Sequence, residues 1–256
     1  MTALITGASA GIGREFCTVL AAEGHDLVLV ARDSERLHAT KAEIEAQFAG
    51  ITCEVLPADL SVQQELDRVV ERLASQEKPV NVLINNAGFG LNQNFVSGDI
   101  AREKYLLDVL VTSVMHLTHA AANTMKLNGG GDIVVISSVA SFIAGGTYSA
   151  AKSWNTLFAE SISEELRGTN IRISALCPGF THTEFHQRAG INKKTVPTWM
   201  WLSVDSVVRE GWRDHKRGKA VSVPSMRYKF LVALIRLLPR ATVRRINHQV
   251  RNRPKH

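Results

Sequence analysis

Short apolar runs rich in β-branched residues alternate along the chain with longer stretches whose apolar positions recur at helical spacing. After an opening run at Leu4-Ile5, strand-like runs fall at residues 27–31, 53–56, 80–84, 133–137, 171–176 and 220–223, making seven predicted strands. Strands separated by helices of this length predict a parallel sheet covered on both faces, because a parallel neighbour is reached only through a crossover. Between residues 105 and 117 nearly every position is apolar, so a buried helix is expected there, with one face available to a subunit interface. No internal repeat or low-complexity segment breaks the alternation.

Composition narrows this to one domain: 256 residues, 45% hydrophobic and 21% charged, suffice for one large core. Cys17, Cys53 and Cys177 show neither metal-ligand spacing nor a disulfide framework, which fits free thiols in a reducing cytoplasm. His182 and His186 lack a supporting carboxylate or cysteine, so no metal site is expected. The first strand begins almost at Met1, leaving no signal peptide to be expected, and no uninterrupted apolar run approaches the roughly 20 residues of a membrane span. A cytoplasmic protein is the expectation.

Charge adds a polarity that the total of +6 conceals. Residues 209–256 hold 14 Lys or Arg against Glu210 and Asp214, a net of +12, which leaves 16 basic and 22 acidic residues, or −6, for the rest. Residues 226–238 are apolar and edged by Arg227, Lys229 and Arg236. After Pro239, Val243, Ile246 and Val250 recur at helical spacing among Arg244, Arg245 and Arg251, so two amphipathic helices are predicted. Two readings stay open: peripheral contact with an anionic membrane, or a helix docked beside a pocket with a solvated basic face. Nucleic acid fits less well, since no aromatics are interleaved.

Two motifs carry candidate chemistry. Tyr148 and Lys152 lie four apart, on one face of a predicted helix, downstream of Ile136-Ser137-Ser138. A phenol with an ordinary pKa of about 10 becomes a useful acid or base near neutrality only if a neighbour lowers it, and a lysine one turn away is expected to do so. At the other end, Leu4-Ile5 runs into Thr6-Gly7-Ala8-Ser9-Ala10-Gly11-Ile12-Gly13 and a helix. Glycines there allow a tight turn and close approach to a phosphate, which the helix N-terminus attracts. The second strand ends at Arg32-Asp33, where an arginine suits the 2′-phosphate of NADP and an acid the ribose of NAD.

These motifs, with Asp59-Leu60, Asn85-Asn86-Ala87-Gly88 and Pro178-Gly179, follow the linear order of the classical short-chain dehydrogenase/reductase family, which the chain resembles over about residues 2–224. The resemblance implies an α/β fold: a single Rossmann-type doubly wound, mostly seven-stranded parallel sheet with helices on both faces. It implies a catalytic domain at residues 1–224, a substrate lid at about 180–205, and a basic amphipathic extension at 225–256 packed on or beside it. Ser138 would hold the substrate oxygen, Tyr148 would carry the proton and also contact the cofactor, and Lys152 would lower the phenol and bind the nicotinamide ribose. Gly7, Ser9, Gly11, Ile12 and Gly13 would take the cofactor phosphates, with Arg32 selecting NADP (NADPH) over NAD. Asp59 and Leu60 would hold adenine, Asn86, Ala87 and Gly88 would line the cleft, Pro178 and Gly179 would flank the nicotinamide, and Thr183 would bond its carboxamide.

The chain departs from the family pattern twice. Leu110 falls where the pattern has an asparagine that extends the proton relay, leaving Thr112 or Ser113 as substitutes through water. Ser138 precedes Tyr148 by ten positions, about three fewer than usual, with Ser137 as the other candidate. Phe180, Phe185, Trp199, Met200, Trp201 and Leu202 suit either an apolar lid over a hydrophobic substrate or plain packing. The expectation is an NADP-dependent oxidoreductase of a hydrophobic or lipid-like ketone or aldehyde, with a homodimer or tetramer implied by the family. A nucleotide-binding pseudoenzyme and a membrane-surface or nucleic-acid binder acting through the tail are the alternatives.

Overall fold

The computed structural model describes residues 1–185 and 196–251, the last six of these by backbone only. His186 and the side chains of Ile246, Val250 and Arg251 lie outside the described set. All seven predicted strands form: β1 (Thr2–Thr6), β2 (Asp26–Ala31), β3 (Cys53–Pro57), β4 (Val80–Asn85), β5 (Gly131–Ile136), β6 (Ile171–Leu176) and the two-residue β7 (Val221–Ser222). They make one all-parallel sheet in the order β3-β2-β1-β4-β5-β6-β7. Every residue of β1 is buried, as a central strand covered on both faces requires.

The chain winds outward from β1 through β2 to β3, then returns to β4 on the other side of β1 and proceeds to β7. Helices α1 (Gly11–Ala22) and α2 (Ser34–Gln47) serve the first direction; α5 (Ser113–Leu127) and α6 (Thr147–Glu165) serve the second. Right-handed crossovers in opposite directions put these pairs on opposite faces. Helix α3 (Gln63–Ala74) joins α5, and α7 (Val204–Lys216) joins α1. The reversal opens a crevice between the carboxyl ends of β1 and β4, where an α/β sheet binds its ligand.

Helix α4 (Ile100–Leu107) runs through a π turn (Asp108–Thr112) into α5, giving one helix of 28 residues that is apolar and long enough to cross a membrane. Sequence reading found no such run, because polar residues interrupt it. Half of its most apolar window is buried, and α5 packs on β4 and β5, so it serves as a core helix. The predicted tail helices form as α8 (Met226–Leu237) and α9 (Arg240–Arg251). Tyr228 and Val232 of α8 belong to the main core.

Candidate active site

The glycine turn occupies the crevice. Gly7 adopts φ +67°, which side chains disfavour, and a Cβ on Gly13 would collide with the Gly7 carbonyl oxygen. Thr6 Oγ1 accepts from the N–H groups of Asn86 and Ala87, both at 2.9 Å, and Asn86 Nδ2 donates to the Thr6 carbonyl at 2.8 Å. Asn86 thus ties the turn to the end of β4. Ala10, at the start of α1, has no side chain with which to cap it, so first-turn amides are available to an anion.

At the end of β2, Arg32 Nη1 donates to Tyr105 Oη at 2.6 Å, and Tyr105 in turn donates to Asp59 Oδ2 at 3.2 Å. The arginine side chain is 63% exposed beside a recess lined by Pro57, Ala58, Asp59, Glu65 and Arg68. Burial raises the Asp59 carboxyl, but hydrogen bonds from Ser61 and Tyr105 and the charge of Arg32 hold it below its ordinary value. Leu60, beside Asp59, has its side chain buried in the core. Asp33, the acid beside Arg32, accepts from Arg36 N–H at 3.0 Å and caps α2.

Arg36 is a further residue of the site, beyond those expected from the sequence. It donates to the Ser9 carbonyl at 3.3 Å and, in a bidentate pair, to Glu184 at 2.9 and 3.0 Å, joining α2, the glycine turn and the lid. The signal was its position four residues after Arg32. Tyr105 and Glu184 had no such signal.

Ser138 and Tyr148 meet despite their short separation. A 3-10 turn (Val139–Phe142) and Gly146 at φ +81° fold the link back and bring Ser138 near enough to the phenol to lower its pKa, while the Ser138 hydroxyl accepts from Ala140 N–H at 3.1 Å. Ser137 points elsewhere. Its hydroxyl donates to the Lys152 carbonyl at 2.7 Å and lies 2.7 Å from Thr156 Oγ1, anchoring α6 to β5.

The expected lowering of the phenol by Lys152 is not found. Lys152 Nζ donates to the Ile136 carbonyl at 2.6 Å and stands 5.9 Å from the Tyr148 ring centre. Burial pushes Tyr148 up to about 12, offset only in part by Ser138, and draws Lys152 down to about 7. Desolvation disfavours both charged forms, and neither group shifts the other. Leu110 is fully buried, and a Cβ on Gly88 would lie 3.4 Å from its Cδ2 and 3.7 Å from Lys152 Nζ. The leucine and the lysine therefore both border Gly88, the leucine at the position where the resemblance implies asparagine. Ser113 offers no replacement, for its buried hydroxyl donates to the Val109 carbonyl at 2.7 Å.

Across the crevice, the Pro178 carbonyl accepts from Val139 N–H at 3.0 Å, holding this loop beside Ser138. A Cβ on Gly179 would collide with the Tyr228 ring, so α8 packs where the glycine leaves room. Thr183 Oγ1 accepts from Phe185 N–H at 3.3 Å and keeps its proton to donate; its methyl abuts Gly11. The lid aromatics divide. Phe185 lies 5.7 Å from Tyr148, Trp201 packs with Phe180 and His182, Leu202 joins the core, and Trp199 is 62% exposed. Among the described residues no group of three His, Cys, Asp or Glu is placed to hold a metal. All three cysteines are buried and free.

The family profile described as short chain dehydrogenase matches residues 1–194. The chain is 32% identical over 182 residues to the ketoacyl reductase HetN of Nostoc sp., covering 70% of this chain and 63% of that protein, under two thirds of its length. It is 33% identical over 188 residues to the uncharacterized oxidoreductase YmfI of Bacillus subtilis, covering 71% and 75%. Among solved structures, a short-chain dehydrogenase from Sphingobium yanoikuyae in complex with NADPH matches with a TM-score of 0.83 at 33% identity, covering 94% and 97% of the two chains. A bulky-bulky ketone specific alcohol dehydrogenase from Comamonas testosteroni matches with a TM-score of 0.79 at 29% identity, covering 100% and 96%.

Proposed function

The chain belongs to the short-chain dehydrogenase family, and from that premise we propose that it reduces a hydrophobic ketone or aldehyde with NADPH, using Tyr148 as proton donor. It is an oxidoreductase of that family with a nicotinamide cofactor. The observation that carries the reading is the convergence of Ser138, Tyr148 and Lys152 on a crevice opened by the glycine turn. Bound there, the cofactor supplies the hydride.

The crevice fits such a group. Gly7 and Gly13 let the turn close tightly on itself and on Asn86, the first-turn amides of α1 are free to face a phosphate, and Thr183 has a proton for the carboxamide. Arg32 and Arg36 favour NADP, since Asp33 is engaged in capping α2 and the guanidinium groups suit a phosphate. The NADPH complex of the Sphingobium relative supports the same choice.

Ser138 then donates to the substrate oxygen while Tyr148 transfers its proton as charge develops there. A phenol held up at about 12 carries its proton at neutral pH but gives it up reluctantly, so the transfer depends on stabilisation of the phenolate by its neighbours. Lys152, beside the ring, stabilises the phenolate left behind. Phe185 against Tyr148 and the apolar face of Phe180 suit a bulky carbonyl, as does the likeness to the Comamonas alcohol dehydrogenase.

NADPH oxidation against a panel of bulky ketones and aldehydes tests the proposal. Turnover is expected, with Tyr148→Phe lowering kcat at least about a hundredfold while leaving NADPH binding intact. Failure to bind NADPH, or unchanged turnover in Tyr148→Phe, would overturn it.

A second reading rests on Leu110. An apolar side chain beside Lys152 breaks the usual proton relay and suits a protein that binds nucleotide but turns over slowly. Leu110→Asn distinguishes the two: a rise in kcat of about tenfold or more would favour the second, and no rise the first.

A further inference from the structure

Helix α8 buries one face and presents a second apolar face to water. Tyr228 and Val232 are 2% and 5% exposed, whereas Met226, Phe230, Leu234 and Leu237 are 76%, 74%, 45% and 83% exposed. Successive spacings of four, four and three line up the exposed residues along one stripe. From this stripe and its surroundings we propose that α8 docks the protein on an anionic phospholipid bilayer.

The charge around the stripe identifies the partner. Arg227, Arg236, Arg240, Arg244 and Arg245 are exposed on α8 and α9, and no acidic residue occurs from 215 to 256. An apolar stripe with a rim of arginines matches a surface that is oily within and anionic at its headgroups. A second copy related by a two-fold axis would bring two arginine rims together without opposing carboxylates. Nucleic acid would engage the arginines and leave the stripe wet.

Helix α8 also borders the candidate active site. Tyr228 Oη donates to the Met200 carbonyl at 2.8 Å and accepts from Phe180 N–H at 3.0 Å, and Arg227 bonds the carbonyl of exposed Trp199. Arg236 lies 4.8 Å above the Phe142 ring, on the loop that follows Ser138. Exposed Trp199 beside Arg227 brings this end of the lid to the border of the docking face. The docking itself does not depend on the cofactor reading.

Co-sedimentation of the full chain with vesicles tests the proposal. Binding is expected to phosphatidylcholine containing about one third phosphatidylglycerol, and to weaken on adding salt or omitting the anionic lipid. Phe230→Glu with Leu237→Glu should weaken vesicle binding by about a hundredfold or more, since two large side chains lose their burial. Arg240→Glu with Arg244→Glu should weaken it while sparing the stripe, and NADPH binding monitors the fold of both variants. Absence of vesicle binding by the wild-type chain would overturn the proposal. So would unchanged binding in both variants, or a stripe variant that only converts a larger oligomer to a smaller one.

Discussion

Lys152 is held against its own electrostatics, and that tension has a measurable sign. Its folded pKa of about 7 lies below the ordinary lysine value of 10.5, so between the two the unfolded chain binds a proton that the folded chain does not. Stability from this group therefore rises with pH across that window, and the cost is greatest at and below pH 7. Lys152→Met is expected to raise the melting midpoint of the cofactor-free protein by about 4 °C at pH 6, with a smaller gain at pH 9, while abolishing turnover. A lowered midpoint would mean that the bond to the Ile136 carbonyl outweighs the burial of charge. Cofactor choice is also decided residue by residue. Because Arg32 is exposed beside the recess and Asp33 is engaged in capping, Arg32→Glu should weaken NADPH binding by about a hundredfold and spare NADH, as two fluorescence titrations would show.

At the scale of elements, β5, β6 and α7 are joined by one polar cluster that is buried at Ser174 and His215 and opens to water at Arg172. Asp132 accepts from Arg172 at 2.7 Å and lies 2.9 Å from His215 Nε2, while His215 Nδ1 lies 2.7 Å from Ser174 Oγ. The serine, histidine and aspartate match a hydrolase triad in residue type, but Ser174 and His215 are 2% and 1% exposed, so the cluster is a clamp. Burial raises the Asp132 carboxyl, but the bonds from His215 and Arg172 outweigh it and hold the group at about 2. That stability is present above the ordinary value of 3.8 and is lost as pH falls through about 2. Asp132→Asn is expected to cost about 2 kcal/mol at pH 7 by urea unfolding, a difference that shrinks toward pH 2. The sheet was legible in advance because buried parallel strands read as apolar runs, and the glycine turn because its geometry admits few residues. The role of Asp33 was not, since an acid after a strand reads equally as a ribose ligand and as a helix cap. The pKa directions of Tyr148 and Lys152 also lay beyond reach, because helical spacing places two groups together but does not reveal how much water remains.

At the scale of the whole molecule, the question is whether residues 225–256 form an addition to the fold or a part of it. The charge shift in the sequence suggests an addition. The packing argues for a part: Tyr228 fills the space over Gly179, bonds both lid segments and belongs to the main core, and Lys229 pairs with Glu210 of α7 at 2.6 Å. Removing residues 226–256 would thus uncover Gly179, free the Phe180 and Met200 segments, and leave Glu210 without its lysine. One melting transition is expected for the full chain, since the small second cluster of Leu106, Leu110 and Ala151 sits on helices that also pack on the main core and cannot melt alone. The truncated chain should melt at least about 6 °C lower and lose carbonyl turnover before it loses NADPH binding, because the glycine turn lies on β1 and α1 while α8 supports the lid. Calorimetry and a cofactor titration on the same truncated preparation check both parts. A truncation that left midpoint and turnover unchanged would make the extension a separate module after all.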